Sequence, residues 1–455
     1  MDDLSLLKNN LQELSQNQDD IRNVKSNNHN MNIEYYYLEE ITKIKPFNNF
    51  YIEKITNDNY DKLSEIIPGI FIKLTDISKE YLIQMLSIGN MILIINEYSY
   101  VVMLAEPPKR TPSKSELDPT NLFESKDGLI ENVYDNLSLI KKRIKSENLI
   151  IRKYILGSNT KTIIFLLYMD EFKNKPYIKE IIDKLDTNNY EAIININDLN
   201  SMFSKSSLLP LTFNTGSPDY ISSSILEGRA AIIMDNSPIS LILPATLSLF
   251  TSIKNEISAP KYYILINRIF NILFILLSLF LIPFFIALTN FNPSFFSTLF
   301  MANFQLNERG TTFPLFLESI LILVMFEFYR HTTSRSPTNY VQNIVIIFGG
   351  LFIGQNAINS GLVGSGILLI TSVSYIASFG LTSNPTLITT FNIFRIYNII
   401  LSYLMGLIGV SIGIITTFLY MSSQKSVNVP FLSPFIPFDK ERIKEYFIPR
   451  RGNKL

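Results

Sequence analysis

The chain lacks residue types that carry much of protein chemistry. Among its 455 residues there is no cysteine and no tryptophan, and the two histidines are His29 and His331. The missing cysteine excludes disulfides, thiolate metal sites and cysteine nucleophiles, and it leaves the redox compartment open. The sequence also offers no nucleophile–base pair or metal-ligand cluster. We therefore expect no enzyme, no metal and no cofactor.

Charge is scarce in one long stretch. From Tyr262 to Tyr420 only eight of 159 residues are Asp, Glu, Lys or Arg, and neither lysine nor aspartate occurs there. Ile269–Leu288 alone has twenty residues without a charge, about the number needed to cross the hydrocarbon core of a bilayer. Residues 261–421 are therefore predicted to form an α-helical polytopic membrane domain with four to six hydrophobic segments.

Five hydrophobic segments can be distinguished, and their number raises a question of topology. They are Ile264–Leu288, Phe313–Tyr329, Val341–Asn359, Gly366–Leu381 and Ile396–Met421. The aromatic stretch Phe291–Phe304 is typical of an interfacial segment. Five full crossings would leave the basic tail, residues 422–455, outside, against the positive-inside tendency. Either the tail is external or one segment is re-entrant, and the short, charged segment 313–329 is the one we expect to insert incompletely.

The residues before the membrane domain form a mildly acidic head. Residues 1–261 hold 28 Lys+Arg and 34 Asp+Glu, so the head has no basic face for nucleic acid. No hydrophobic core of a signal peptide occurs at the N-terminus, which favours a cytoplasmic head. The seven basic residues of the tail fit a cytoplasmic flank near anionic lipid.

The pattern of the head predicts an α/β fold of two small subdomains. We expect a mobile polar arm over 1–32, a first subdomain over 33–107, a linker and helix over 108–149 and a second subdomain over 150–260. The predicted strands are Ile66–Leu74, Met91–Leu104, Lys161–Met169, Ala192–Ile196 and Ala230–Met234, and the predicted helices are Ser78–Ile88, Leu122–Leu149 and Tyr177–Leu185. The apolar residues 230–250 favour buried strands and a turn over a membrane span.

Charged residues inside the membrane domain are the first candidate site. They are Glu318, Glu327, Arg330, Arg335 and Arg395. Nine residues separate the two glutamates, which puts them on opposite faces of a helix and excludes a paired acid/base site. Glu327 and Arg330 are three apart and can form an ion pair. Arg395 stands at the entrance of the last segment, where we expect it to snorkel to the interface. A structural role in packing is favoured slightly over ion conduction.

Small and amide residues are the second candidate, as helix-packing or pore-lining positions. They are Gly350, Gly354, Gln355, Asn356, Asn359, Leu362, Gly409 and Gly413. A GxxxG spacing permits close helix approach in lipid, which is the simpler interpretation of the glycines. The amides followed by apolar residues would also suit a water-lined path that closes by dewetting.

A dense turn region is the third candidate. Its members are Pro218, Asp219, Glu227, Gly228, Arg229, Pro238 and Pro244. Because no histidine, cysteine or metal cluster accompanies them, we expect a structural turn that couples head and membrane domain rather than a catalytic site.

Several of these blocks, in this order, resemble the A-subunit family of spore germinant receptors, the GerA family. The resemblance covers about residues 109–449 and is carried by Leu129–Leu149, Pro218-Asp219, Ile225–Ile232, Ser237-Pro238, Phe313-Pro314, Glu318, Glu327, Arg330, Arg335, Pro337, Gly354-Gln355, Gly361–Val363, Ile376–Phe379 and Pro430–Pro437. The chain departs from the family at Gly216, Ser217, Leu323 and His331, so salt bridges through those positions are not carried over.

The resemblance implies a germinant receptor A subunit in the inner spore membrane, with its head on the spore-core side. It implies a transporter-like B subunit and a C lipoprotein as partners. It also implies a homo-oligomer, expected as a pentamer, that acts as a nutrient-gated channel and releases monovalent cations. Two alternatives stay open: a secondary transporter, and a non-conducting membrane scaffold that clamps the B and C subunits.

Overall fold

The computed structural model divides the chain into two compact units. It describes residues 3–28, 31–38, 42, 47, 55, 61–67, 69–104, 127–187, 190–204, 207–251, 261–297, 313–334, 355–382 and 384–447. Unit 1 comprises residues 1–205, 211–245 and 426–429, and unit 2 comprises 206–210, 246–425 and 430–455. Unit 1 is the mixed helix–strand head, and unit 2 holds the long apolar helices.

The first half of unit 1 is a sheet buried on both faces. Its strands are β1 Ile21–Asn28, β2 Met31–Leu38, β3 Phe71–Lys73, β4 Met91–Ile95 and β5 Tyr98–Val102, in the order β1-β2-β4-β5-β3, with antiparallel pairs. Its helices are α1 Asp3–Asn17, α2 Leu63–Ile66 and α3 Lys79–Ser87. Along β4, Ile92 and Ile94 pack with α1 and α3, whereas Met91, Leu93 and Ile95 pack on the opposite face.

The second half of unit 1 has a five-stranded sheet of its own. The strands are β6 Leu149–Leu156, β7 Thr162–Met169, β8 Phe213–Thr215, β9 Ala230–Met234 and β10 Ser240–Leu243, in the order β6-β7-β9-β10-β8. The helices are α4 Val133–Arg143, α5 Pro176–Asp186, α6 Ile196–Phe203 and α7 Pro218–Leu226, with a 3-10 turn at Asp170–Phe172. Val427, from far along the chain, packs in the core of this half.

Unit 2 is helical in its described part. Its helices are α8 Leu247–Thr251, α9 Lys261–Phe291, α10 Leu315–Ser334, α11 Ser365–Leu381, α12 Pro385–Ser423 and α13 Lys440–Phe447, with a 3-10 turn at Pro293–Phe295. The two-residue strands β11 Lys425–Ser426 and β12 Val429–Pro430 follow α12. Two helices, over Tyr262–Phe291 and Pro385–Ser423, are long and apolar enough to cross a membrane, and α11 is a shorter apolar helix.

A reversal of the chain at Gly406 divides α12 into two helical arms. Gly406 has φ +60°, and the arms 385–405 and 407–423 pack against each other. Asn398 donates a hydrogen bond to Thr417 at 3.2 Å. In one straight helix these two residues would lie about 28 Å apart, at 1.5 Å per residue. The predicted fifth segment, Ile396–Met421, is therefore wrong as a single helix and is instead the greater part of a helical hairpin.

Glycine is required where the two arms approach each other. A Cβ at Gly409 would lie 2.0 Å from the carbonyl oxygen of Leu401, and one at Gly413 would lie 2.1 Å from Asn398 Oδ1. The interpretation of these two glycines as a packing stripe fits these contacts, but the partner is the other arm of the same hairpin.

Four helices of unit 2 meet at one end, which we call the hairpin end. Here α9 ends at Phe291, whose ring lies against the turn at Gly406. The starts of α10 and α11 also lie at this end. Glu318, in the first turn of α10, accepts a hydrogen bond from the N–H of Gly364, the N-cap of α11. Helices α10 and α11 therefore run away from the hairpin end, whereas α9 and the first arm of α12 run towards it.

The polar N-terminal residues are ordered in the structure, in contrast to the mobile arm expected over 1–32. Helix α1 buries Leu7, Leu11 and Leu14 against the first sheet, and β1 pairs along its whole length with β2. The leucines recur at helical spacing, but only the face of the folded sheet gives them a place to bury.

Four other predicted elements in the head differ from the structure. The strand predicted over 66–74 shortens to β3, because Ile66 is the last residue of α2. The stretch 91–104 is a hairpin and not one strand, because Asn96 takes φ +51° and turns the chain. The helix predicted over 122–149 shortens to α4 within the described residues, since the chain enters β6 at Leu149. The strand predicted at 192–196 is a loop that ends in α6, where Asn195 and Asp198 form a capping box.

Other local predictions are confirmed. Ser78 caps α3, accepting a hydrogen bond from the Tyr81 N–H at 3.3 Å. The apolar residues 230–250 form buried strands and a turn, with the short α8 after them. The segment Val341–Asn359 lies outside the described residues except for 355–359, which are helical.

Candidate functional site: the polar core of unit 2

A fully buried arginine joins three helices of unit 2. Arg395 has no exposed surface. Its Nε donates to the carbonyl oxygen of Ser278 on α9 at 2.5 Å, and its Nη2 donates to the Ser378 hydroxyl at 2.6 Å and to the Ser374 carbonyl at 3.1 Å, both on α11. The planar guanidinium suits this task because its donors point in fixed, divergent directions. The expectation that Arg395 snorkels to the interface is wrong.

A charged pair on α10 is connected to this arginine through the side-chain amide of Asn392. Arg330 and Glu327 form the ion pair that their spacing predicted. Asn392 Nδ2 donates to Glu327 Oε2 at 2.7 Å, and Asn392 Oδ1 accepts from Arg395 Nη1 at 2.6 Å. The amide thus orients itself between a carboxylate on one side and a guanidinium on the other.

Further hydroxyls complete what we call the polar core. Tyr375 donates to Glu327 at 3.3 Å, and Arg330 donates to the Thr389 hydroxyl at 2.8 Å. The tyrosine ring also lies 5.8 Å from the Arg395 guanidinium. All of these groups belong to one chain and connect α9, α10, α11 and the first arm of α12. Charges in an apolar surrounding are costly unless their hydrogen bonds are satisfied, so this arrangement holds the helices in one register.

The other membrane glutamate is separate from this core. Glu318 is 1% exposed. Its Oε2 accepts from the Gly364 N–H at 2.8 Å, whereas its Oε1 has no hydrogen-bond partner among the described residues. The two glutamates do not form a joint site, in agreement with their predicted placement on opposite helix faces. At the N-terminus of α11 the carboxylate satisfies a backbone donor and meets the positive end of the helix dipole.

A pocket opens beside Glu318 at the hairpin end. Its volume is about 640 Å³, and it is lined by Asn290, Phe291, Phe313, Pro314, Leu315, Glu318, Tyr403 and Leu404. The Tyr403 ring is held by stacking on Phe316, with centroids 3.8 Å apart. Among the described residues no group of three or more histidines or carboxylates could hold a metal ion.

The remaining membrane candidates are only partly described. Gln355, Asn356, Asn359 and Leu362 are exposed on the surface of a single chain. Gly350, Gly354 and Arg335 lie outside the described residues. The assignment of the amides and Leu362 to a pore therefore stays a prediction.

The turn region of the head is held together by contacts inside unit 1. Asp219 forms an ion pair with Arg143. Arg229 Nη1 donates to the Pro244 carbonyl at 2.6 Å, and the carbonyl of Gly228 accepts from Tyr177 at 2.6 Å. Gly228 has φ +91°, and a Cβ there would lie 2.7 Å from the Phe172 ring, so glycine is needed.

The other turn residues occupy ordinary structural positions in unit 1. Pro218 opens α7, Glu227 is its C-cap, and Pro238 lies between β9 and β10. Coupling of this region to the membrane unit stays a prediction.

Sequence reasoning missed the neutral members of the polar core. Ser374 and Ser378 stand four apart and share a helix face, and Asn392 precedes Arg395 by three residues. These spacings are a signal, but short polar residues at such spacing are common and identify no partner. A second missed pair lies in the head, where Lys141 and Asp20 form a buried ion pair at 2.5 Å.

Comparisons with known proteins point to one family. The chain matches the family described as "Bacillus/Clostridium GerA spore germination protein" over residues 7–453. It is 29% identical over 367 residues to "Spore germination protein XA" of Bacillus anthracis, which covers 79% of this chain and 73% of that protein. It is 30% identical over 323 residues to "Spore germination protein KA" of Bacillus subtilis (strain 168), covering 70% of this chain and 59% of that protein.

One solved structure is also similar. It is the crystal structure of the N-terminal domain of the A subunit of the Bacillus megaterium spore germinant receptor GerK3. The TM-score is 0.39 at 23% identity, and the match covers 53% of this chain and 93% of that chain.

Proposed function

Because the chain belongs to the GerA family of spore germination proteins, we propose that it is the A subunit of a spore germinant receptor. In this proposal several copies, most simply five, assemble in the inner spore membrane around a nutrient-gated cation channel. The family match over nearly the whole chain is the observation that carries the proposal. A transporter-like B subunit would supply the nutrient signal, and a lipoprotein C subunit would complete the receptor.

Six crossings, rather than five, are our proposal for the membrane unit. The two arms of α12 each count as one, and α9, α10, α11 and the predicted segment Val341–Asn359 supply the other four. The arms hold about 21 and 17 residues, or roughly 31 and 25 Å of helix. An even number returns the basic tail to the side of the head, which removes the conflict with the positive-inside tendency. A re-entrant segment at 313–329 is then unnecessary.

A second observation supports a tail that starts on the side of the head. Residues 426–429, directly after α12, belong to unit 1. Ser426 Oγ donates to the Leu211 carbonyl at 2.5 Å, and Val427 packs in the core of the second half of unit 1. With the mildly acidic head and the basic tail on the same side, we assign that side to the spore core.

The pore lining that we propose is the surface of residues 355–362. The charged groups of the polar core are satisfied inside one chain, so they are poor candidates for an aqueous route. In contrast, Gln355, Asn356, Asn359 and Leu362 are exposed and present amides next to an apolar side chain. Several copies around a common axis would bring these residues together, and the apolar side chain would be the closing position.

Ion flux through the purified oligomer tests the proposal. The chain is reconstituted with its B and C subunits in liposomes, and potassium release is measured together with the mass of the particle in detergent. Leu362→Ala should raise the leak without nutrient severalfold, because it widens the apolar position. Leu369→Ala, which truncates an exposed leucine on α11, is the matched control and should leave the leak unchanged. A single-copy particle, or vesicles that stay sealed with every variant and nutrient, would contradict the channel.

A non-conducting scaffold is the second candidate. The observation that favours it is the polar core, which fixes four helices of one chain in a single register. In the same assay, a stable complex with B and C that passes no ions would support the scaffold and exclude the channel.

A further inference from the structure

The pocket at the hairpin end combines features of a cation site. Its eight described lining residues include one carboxylate, that of Glu318. Because none of these eight residues is basic, the charge that they contribute to the pocket is negative. A volume of about 640 Å³ lies within the usual range for small-molecule sites.

The carboxylate has an unmet requirement. Oε2 accepts a hydrogen bond from the Gly364 N–H, but Oε1 is buried without a partner in the part of the chain that the structure describes. Buried polar atoms are normally paired, so an unpaired carboxylate oxygen beside a pocket indicates a ligand that brings positive charge.

The walls of the pocket indicate which cation fits. Phe291, Phe313 and Tyr403 each leave more than a third of their surface exposed, so their rings are available. Aromatic faces attract organic ammonium ions, whereas hard metal cations prefer a shell of several oxygen ligands. A carboxylate among aromatic rings therefore fits an alkylated ammonium group better than a bare metal ion.

We propose that this pocket binds a small organic ammonium ion, with Glu318 as its charge partner and the three rings as its walls. A zwitterion such as glycine would bind more weakly, because its own carboxylate would face Glu318 with no basic lining residue to receive it. A bound ion would contact the end of α9, the start of α10 and the turn of the α12 hairpin at once. The site does not depend on the channel, so it can be tested separately.

Equilibrium dialysis of radiolabelled tetramethylammonium tests this site. The purified full chain in detergent should retain the probe, and equal concentrations of sodium chloride or glycine should compete at least tenfold less well than unlabelled probe. Glu318→Gln should weaken binding at least tenfold. The proposal is overturned if the wild-type chain retains no probe above the sodium chloride background, or if Glu318→Gln binds as wild type does.

A pair of phenylalanine variants decides the question should Glu318→Gln fail to fold. Phe313→Leu removes one wall of the pocket and should weaken binding about threefold, in line with one exposed cation–π contact. Phe328→Leu removes an exposed ring on α10, outside the pocket, and should change nothing. Equal binding by the two variants would overturn the proposal, whatever the result for conduction.

Discussion

At the scale of single residues, neutral hydrogen-bond partners help the protein to bury ionic groups. Arg395 meets backbone carbonyls, a serine hydroxyl and an asparagine oxygen, and its nearest carboxylate is one amide away. In the head, the half-buried Glu34 accepts hydrogen bonds from the neutral Asn23 and Tyr36 in addition to its ion pairs with Lys25 and Lys8. In both places the satisfied hydrogen bonds offset the cost of burial.

We predict that Arg395→Lys destabilises unit 2 by about 2–4 kcal/mol. The ammonium group of lysine cannot reproduce the divergent hydrogen bonds that the planar guanidinium of Arg395 donates. Thermal unfolding of the chain in detergent measures this loss. Arg330→Lys is the matched control. Its partly exposed ion pair should be worth about 0–1 kcal/mol, so the variant should unfold near the wild-type temperature. Equal losses in the two variants would show that Arg395 is not the hub of the polar core.

A pH dependence is expected at Glu34. Burial by itself would raise the pKa of Glu34, but hydrogen bonds from Tyr36, Asn23 and Lys25 lower it below its ordinary value of 4.5. A lowered carboxyl pKa contributes stability above the unfolded value, and this contribution is lost as the pH falls through the folded value. Melting curves from pH 7 to pH 3 should therefore show a steeper acid loss for wild type than for Glu34→Gln. Parallel curves would rule out this contribution.

At the scale of elements, one glycine converts a long apolar helix into a hairpin. Gly406 takes a left-handed φ, and Gly409 and Gly413 allow the arms to touch. The same 39 residues as one straight helix would measure about 58 Å, far more than the hydrocarbon core needs. Two arms match the bilayer thickness, so the reversal suits both the packing and the membrane.

Cross-linking tests the hairpin, and the cysteine-free chain makes it simple. The Tyr397 and Thr416 side-chain oxygens lie 3.1 Å apart. A Tyr397→Cys/Thr416→Cys chain should therefore close with a short thiol cross-linker, visible as a mass increase in intact protein.

The control pair for this experiment is Ile400→Cys/Leu419→Cys, which has the same separation along the chain. Leu419 adjoins Tyr420, whose ring contacts Phe394, about 9 Å along the arm from Ile400. This pair should stay open. Closure of both pairs, or of neither, would contradict the register of the hairpin.

At the scale of the whole molecule, chain segments far apart in sequence complete each unit. In unit 1, Gln18 bridges to Ile151 at the edge of β6, and the Lys153 N–H donates to Asp19 at 2.9 Å. The buried pair Asp20–Lys141 lies beside these contacts. The N-terminal residues thereby join the two halves of the head into one unit.

A double-mutant cycle on this buried pair should reveal strong coupling. Asp20→Leu or Lys141→Met alone leaves an uncompensated buried charge and should cost about 3–5 kcal/mol, whereas the double variant should recover most of the loss. The free energy of unfolding of the three variants is measured by urea unfolding of the full chain, with hydrogen exchange of the β6 amides as the probe. Glu13→Gln, at an exposed pair with Lys79, is the control and should change stability by less than about 1 kcal/mol. Additive single losses would show that the pair is not coupled.

The local and compositional properties of this protein could be predicted from its sequence. The charge-poor stretch, the N-cap at Ser78, the amphipathic α5 and the Glu327–Arg330 pair each depend on residues close together in the chain. The mixed helix–strand character of the head followed from its hydrophobic periodicity. The resemblance to the GerA family followed from blocks of residues in a common order.

Tertiary structure alone decided the features that depend on distant partners. In sequence, Arg395 resembles an interfacial cation, and only the folded chain brings Ser278 and Ser374 to it. Residues 3–28 are very polar in sequence, but in the folded head α1 packs on the first sheet and β1 pairs with β2. The apolar run around Gly406 is compatible with one helix or two, and the contacts of Asn398 with the second arm select the hairpin. Hydropathy indicates how strongly a side chain favours burial, but only the folded chain determines which residues it contacts there.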